Sequence, residues 1–176
     1  MSQRPSALRS PAAWCRFLLT AAVGVGLDLW SKSLAFSQLS PGATCRFIPG
    51  WLEFEIVENR GAVFGLGQGQ RYLFIFCSFV AIVFLFYLFS ISERKRGFQI
   101  LIGMLLAGVV GNLYDRMVLG YVRDMIHALP MFPNFFIWRF NVADSLLCTG
   151  VGLMVIYNFW PTGQDDPSTS PDGVQS

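Results

Sequence analysis

The sequence predicts a mainly α-helical, polytopic membrane protein, with four transmembrane helices and a small extracytoplasmic β-sheet resting on the membrane surface. Two observations predict this class. Of the 176 residues, 53% are hydrophobic and only 14% are charged, and the mean hydropathy is positive, which is unusual for soluble globular proteins. Four apolar runs, at about 17–36, 72–91, 98–114 and 140–160, are each long enough to span a bilayer.

The first apolar run follows a polar, arginine-bearing segment, as the apolar region of a secretory signal peptide does. It also contains Asp28 and Lys32 and is long enough to span, so we expect an uncleaved transmembrane helix. Residues four apart share one helix face, so Asp28 and Lys32 can neutralise one another in lipid. Structural support is therefore their expected role.

The segment between the first and second runs is polar and carries prolines and glycines, so it leaves the bilayer. Within it, Leu52, Phe54 and Ile56 alternate with glutamates, which is the period of a strand with one apolar face. We expect a surface β region at about 43–66. Its end overlaps a glycine-rich loop at 59–69.

The second run, 72–91, contains no charged residue, and at about 1.5 Å per residue its length matches a hydrocarbon core of roughly 30 Å. A short basic turn separates it from the third run. Residues 117–139 are predicted to form a second outer loop that holds Asp124. The tail, 165–176, is rich in Pro, Asp, Ser and Gly, so we expect disorder there and a single membrane domain at 1–164.

The distribution of basic residues predicts the orientation. The two sides of the membrane carry six basic residues each, but three crowd one tight turn at 94–96 and three more precede the first span. By the positive-inside rule, both termini are expected in the cytoplasm. The polar residues of three helices then converge on one level near the outer leaflet.

Several function classes are disfavoured by composition. A net charge of +2 with scattered basic residues argues against a nucleic-acid surface. The four cysteines form no CxxC pair, and the lone His127 has no neighbouring Cys or His, so neither a disulfide nor a metal site is indicated. We expect no metal and no cofactor.

Asp144 has two interpretations. Asn141 can be the N-cap of the fourth helix with Asp144 at its N3 position, where a negative charge suits the helix dipole. Alternatively, an ionisable side chain in lipid is expensive and therefore functional, and Asp124 is then its candidate catalytic partner.

Other polar residues also have a simple structural interpretation. Asp115 and Arg116 end the third helix and can anchor it at the headgroups. Asn59 and Asn112 can hydrogen-bond backbone groups as readily as they can contact a substrate.

Four short motifs follow one another along the chain. They are DLWSK at 28–32, NRGAVFG at 59–65, GVVGNLYDR followed by VRDMI within 108–126, and FNVADS at 140–145. In their order, their spacing and their combination with four spans, they resemble the lipoprotein signal peptidases, also called signal peptidase II. Two positions depart from the family pattern: Ala107 replaces a frequent glycine, and Met125 replaces a frequent phenylalanine.

The resemblance implies an aspartic endopeptidase of the bacterial cytoplasmic (inner) membrane that removes signal peptides from prolipoproteins by cutting before the diacylglyceryl cysteine. Its catalytic pair would be Asp124 and Asp144. Implied partners are the prolipoprotein and membrane lipids, and we expect a monomer. The expected substrate-binding or supporting residues are Asn59, Gly61, Asn112, Arg116 and Asn141, together with Asp28, Lys32 and Asp115 at the same level.

The alternative function is that of a non-enzymatic, four-span transporter or channel subunit, in which Asp28, Lys32 and Asp144 line an ion path. Such a path needs polar groups through the full membrane depth, and the second span has no charge. A purely structural membrane subunit is a third interpretation, which the convergence of polar residues at one level disfavours.

Overall fold

The computed structural model describes residues 7–61, 67–92, 95–132 and 139–159. A turn of 3-10 helix, Ala7–Arg9, precedes the first long helix. The helices and strands of the described residues are α1 (Pro11–Gln38), β1 (Thr44–Ile48), β2 (Leu52–Asn59), α2 (Arg71–Ile91), α3 (Arg96–Val118), β3 (Val122–Ala128), β4 (Arg139–Phe140) and α4 (Val142–Phe159). The predicted disordered tail, 165–176, lies outside the described residues, as does part of the glycine-rich loop, 62–66.

All four helices are long and apolar enough to cross a membrane. Together with the antiparallel sheet, they confirm the predicted fold class. α3 is the most buried helix and packs against the other three. α2, in contrast, exposes large apolar side chains such as Phe76 and Val83, which are suited to contact with acyl chains.

Each of the four helices begins at a residue other than the one predicted, and for α1 and α4 the reason is local. α1 begins at Pro11 because Ser10 Oγ accepts a hydrogen bond from Ala13 N (3.3 Å) and proline suits the first helical position. α4 begins at Val142, because the preceding Phe140 is paired in β4 and Asn141 caps the helix.

Glycines let α3 approach its neighbours closely. A Cβ at Gly103 would lie 2.7 Å from Phe17 O on α1, and one at Gly108 would lie 2.6 Å from Ala143 O on α4. Ala107, which departs from the family pattern, faces Gly24 on α1. A Cβ at position 24 would lie only 2.5 Å from the Cβ of Ala107, so the glycine makes room for this alanine. Small residues thus bring the helix backbones close together.

The sheet joins segments that are far apart in sequence. Its order is β1-β2-β3-β4 and every pairing is antiparallel. The strand predicted from the apolar alternation is β2. Part of the predicted loop at 117–139 is strand instead, because β3 pairs with β2 and β4, which begins at Arg139, pairs with β3. This pairing places Asp124 on a strand and sets it opposite Val57.

The buried apolar core and the buried polar residues of the predicted site occupy different stretches of the helices. Phe17 of α1 and Phe89 of α2 are fully buried and stack with ring centroids 4.5 Å apart. The polar residues lie further along the bundle, where α1 and α3 contact β3. They are Asp28, Lys32, Asn112 and Asp115.

Candidate active site

Asp124 is held on β3 by two side-chain amides. Its Oδ2 accepts a hydrogen bond from Asn59 Nδ2 (2.9 Å), and its Oδ1 accepts one from Asn141 Nδ2 (2.7 Å). Only 2% of the residue is exposed. Burial, followed by the nearby charge of Asp144, raises the pKa of Asp124 from 3.8 to about 7.

Asp144 lies in the first turn of α4 and also accepts two hydrogen bonds. The donors are Asn112 Nδ2 (2.8 Å) and Asn141 N (3.2 Å). In return, Asn141 Oδ1 accepts a hydrogen bond from Asp144 N (3.0 Å). This reciprocal pattern is a capping box. The helix-cap interpretation is therefore correct, and it is compatible with chemistry at the same carboxylate.

Asn141 joins the two carboxylates. It is fully buried, and it contacts Asp124 through its side-chain Nδ2 and Asp144 through its backbone N and side-chain Oδ1. Strand pairing positions it, because β4 ends at the residue before Asn141 and pairs with β3, where Asp124 lies. One residue thus sets the relative position of the two acids.

A buried ion network supports this pair. Lys32 Nζ lies 2.7 Å from Asp28 Oδ2, 3.3 Å from Asp115 Oδ2 and 3.0 Å from Asn112 Oδ1. Asp28 Oδ1 also accepts a hydrogen bond from Ala143 N (2.8 Å), so this carboxylate holds the first turn of α4. The network connects α1 and α3 with the helix that carries Asp144.

Asp115 is not a headgroup anchor, because its side chain is fully buried. Besides Lys32, it pairs with Arg123, whose N, Nε and Nη2 all donate to it at 2.8–3.1 Å. Arg123 is a site residue that was not predicted from the sequence. The available signal was its place directly before Asp124 within VRDMI.

Arg116 and Gly61 form a hydrogen-bonded group with Asn59 at the site. Arg116 Nη2 donates to Gly61 O (3.3 Å), and Gly61 N donates to Asn59 Oδ1 (3.0 Å). The guanidinium lies 5.0 Å from the ring centroid of Phe74, which favours a cation–π contact. Because Asn59 also donates a hydrogen bond to Asp124, it links Gly61 and Arg116 to that carboxylate.

The structure thus brings all the predicted site residues into one bonded cluster. It connects them through the contacts described above, and they are Asp28, Lys32, Asn59, Gly61, Asn112, Asp115, Arg116, Asp124, Asn141 and Asp144. Within the described ranges, no three His, Cys, Asp or Glu side chains form a group that could hold a metal ion. The arrangement can perform acid–base chemistry with two neighbouring carboxyl groups.

Comparisons with known proteins identify the family. The family model of signal peptidase (SPase) II matches residues 20–160. A lipoprotein signal peptidase of Enterococcus faecalis is 38% identical over 142 residues, which cover 80% of this chain and 86% of the relative. One of Anoxybacillus flavithermus is 34% identical over 161 residues, which cover 91% of this chain and 94% of the relative.

Two solved structures share the fold. Both are bacterial membrane enzymes whose structures were determined by the in meso method, at 2.3 and 1.9 Å resolution. The first gives a TM-score of 0.75 at 28% identity, covering 89% of this chain and 93% of the solved chain. The second gives 0.73 at 29% identity, covering 82% and 92%.

These findings decide between the functional interpretations. The transporter or channel alternative has no support among them. The chain therefore belongs to the signal peptidase II family, and it is a multi-pass bacterial membrane protease that removes signal peptides from prolipoproteins.

Proposed function

We propose that this protease is an aspartic endopeptidase that uses Asp124 and Asp144 as its catalytic pair and cuts before the diacylglyceryl cysteine of a prolipoprotein. One observation carries the proposal: Asn141 hydrogen-bonds both carboxylates, one on β3 and the other on α4. Two acids from different elements, a strand and a helix, are thereby held beside one another, as an acid–base pair requires.

The charge state of the pair suits this chemistry. Because the pKa of Asp124 is raised to about 7 by burial and by the charge of Asp144, a substantial fraction of the molecules carries one proton on the pair at neutral pH. One carboxyl group is then a base while its neighbour is an acid. The pair titrates as a unit, and the proton belongs to both residues.

The reaction follows from that single proton. The ionised carboxylate removes a proton from a water molecule, whose oxygen attacks the carbonyl carbon of the scissile peptide bond. The protonated carboxyl donates a hydrogen bond to the carbonyl oxygen as negative charge develops there. Proton transfer to the leaving nitrogen then accompanies cleavage of the C–N bond and releases the signal peptide.

The place of the site suits a lipid-modified substrate. Asp144 lies in the first turn of a span and Asp124 lies on the adjoining sheet, so the pair is at one end of the bundle. A diacylglyceryl cysteine keeps its acyl chains in the bilayer and presents its peptide bond at the interface. We propose that this end faces the outer leaflet of the inner membrane, with both termini cytoplasmic, and that one chain suffices because it supplies both aspartates.

The test is cleavage of a synthetic prolipoprotein peptide with a diacylglyceryl cysteine, with the cut located by mass spectrometry. Asp124→Asn and Asp144→Asn keep the side-chain shape and remove the acid, so each is expected to lower turnover by about 10³-fold or more. Glu58→Gln is the matched control, because Glu58 is an exposed acid on β2 that pairs with Arg60. Its turnover should equal that of the wild type.

Two outcomes contradict the proposal. Near wild-type turnover in either aspartate variant excludes the pair as the catalytic group. Equal cleavage of the peptide without the diacylglyceryl group excludes the proposed substrate class, while leaving the pair intact.

A further inference from the structure

Lys32 contacts an amide oxygen as well as its ion-pair partners. Its side chain is fully buried, and three acceptors surround the ammonium: Asp28 Oδ2 at 2.7 Å, Asn112 Oδ1 at 3.0 Å and Asp115 Oδ2 at 3.3 Å. An ammonium carries three N–H donors and no acceptor. It therefore faces the oxygen of the Asn112 amide and never its nitrogen.

This contact decides which way the Asn112 amide points. The oxygen also accepts a hydrogen bond from Asn141 Nδ2 (3.2 Å), and the nitrogen faces Asp144 Oδ1 (2.8 Å). A flipped amide would set its NH₂ group against the ammonium of Lys32 and against the NH₂ group of Asn141. It would also set its oxygen against a carboxylate, so all three contacts would be lost.

The orientation of the Asn112 amide in turn favours one orientation of the Asn141 amide, which contacts Asp124. Asn141 Nδ2 lies between Asn112 Oδ1 at 3.2 Å and Asp124 Oδ1 at 2.7 Å. The oxygen of Asn141 is already used, because it accepts from Asp144 N as the helix cap. The amide of Asn141 thus has one orientation that satisfies all its neighbours.

We propose that Lys32 is a positioning residue: by fixing the amide of Asn112, it aims one amide N–H at each of the two aspartates. This inference rests on the proposed catalytic role of Asp124 and Asp144. Lys32 touches neither carboxylate through a described hydrogen bond and acts through Asn112 and Asn141. It extends the role expected from the sequence, which was charge neutralisation of Asp28.

The charges of the network allow the positioning role of Lys32 to be tested separately from its neutralisation of Asp28. Lys32 and Arg123 balance Asp28 and Asp115, and Arg123 alone gives Asp115 three hydrogen bonds. The double variant Asp28→Asn/Lys32→Met removes one charge of each sign. Asp115 keeps its partner Arg123, and the asparagine at 28 can still accept from Ala143 N.

The experiment compares Asp28→Asn/Lys32→Met with Asp28→Asn alone, using the purified full chain and the lipidated peptide. Loss of a charge-assisted hydrogen bond that orients the pair should lower kcat by at least about tenfold. KM should change by less than about twofold, since the fully buried side chain of Lys32 is out of reach of a bound peptide. Thermal unfolding of both variants shows whether each one is folded.

Asn112→Leu provides the second arm, because it removes the amide and leaves the ion pairs of Lys32 in place. Introduced into both proteins above, it should lower kcat in Asp28→Asn by at least about tenfold. In the presence of Asn112→Leu, replacement of Lys32 should lower kcat by less than about a further twofold, because Lys32 acts through Asn112.

Three results overturn the proposal. They are an unchanged kcat on replacing Lys32 in the folded Asp28→Asn protein, a loss that multiplies with that of Asn112→Leu, and full activity of Asn112→Leu itself. The last applies even where the Lys32 variant does not fold. Asp124→Asn and Asp144→Asn in the same assay keep the two proposals apart, because their inactivity supports the pair whether or not Lys32 positions it.

Discussion

Asn141 combines a structural and a chemical task in one side chain. Its Oδ1 caps α4, whereas its Nδ2 contacts Asp124 and Asn112. Serine is also a good N-cap residue but has no amide. The two tasks are therefore separable by substitution.

We predict that Asn141→Ser is more stable than Asn141→Ala by about 1 kcal/mol, because serine keeps the cap, and that it lowers kcat by about tenfold or more, because the contact with Asp124 is lost. Asn141→Ala should lose both the cap and the contact. Thermal unfolding and peptide cleavage measure the two effects. Wild-type turnover in the serine variant would show that the amide is dispensable.

Asp124 makes stability depend on pH. Its pKa is 3.8 in the unfolded chain and about 7 in the folded protein. Between these values the folded state binds the extra proton, so the contribution of this group to the free energy of unfolding falls as the pH rises. Above about pH 7 both states are ionised and the contribution is constant.

We predict that Asp124→Asn gains stability relative to the wild type as the pH rises from about 4 to about 7, because the variant lacks this titration. The measurement is the difference in melting temperature between the two proteins at several pH values in the same detergent. A difference that stays constant across this window contradicts the raised pKa.

At the scale of elements, close helix packing determines where the site can form. A Cβ at Gly108 would lie 2.5 Å from Leu147 Cγ and 2.6 Å from Ala143 O. Both neighbours are on α4, in or near the turn that carries Asp144. Separation of α3 from α4 would therefore also move Asn112 away from Asp144.

We predict that Gly108→Ala destabilises the protein by about 1–3 kcal/mol through overpacking and lowers turnover. Gly152→Ala is the matched control, since a Cβ at this helical glycine meets nothing within 4 Å. Alanine should be tolerated there and should favour the helix slightly. Equal stability of the two variants would contradict the packing argument.

At the scale of the whole molecule, two of the four cysteines can report the orientation. Cys45 is exposed on β1, and Cys15 is exposed near the start of α1, at the opposite end of that helix from the site. Cys77 and Cys148 lie within α2 and α4. Only Cys45 should therefore meet water outside the cytoplasm.

We predict that a membrane-impermeant maleimide labels the protein in intact spheroplasts, and that Cys45→Ser abolishes this labelling because the proposed orientation places β1 outside the cytoplasm. Cys15 should react only after permeabilisation, and Cys15→Ser removes that second signal. Labelling of Cys15 in intact spheroplasts would reverse the proposed orientation.

Much of the fold and of the candidate site was predictable because its signals are local. The length of an apolar run reports a span directly, and the four motifs identified both aspartates together with their asparagine partners. The pairing of Asp28 with Lys32 followed from helical spacing. Arg123 was not predicted, because its place beside Asp124 in VRDMI does not indicate that it pairs with Asp115.

By itself, the sequence FNVADS determined that Asp144 would sit at a helix start with Asn141 as its cap, since a cap depends on residues three apart. Only the tertiary structure decided that Asp124 lies on a strand rather than in a loop, because β3 exists through its pairing with β2, more than sixty residues earlier in the chain. It also decided the orientation of the Asn112 amide, which is determined by partners on α1 and α4. Such contacts depend on which segments meet in space, and no local pattern encodes them.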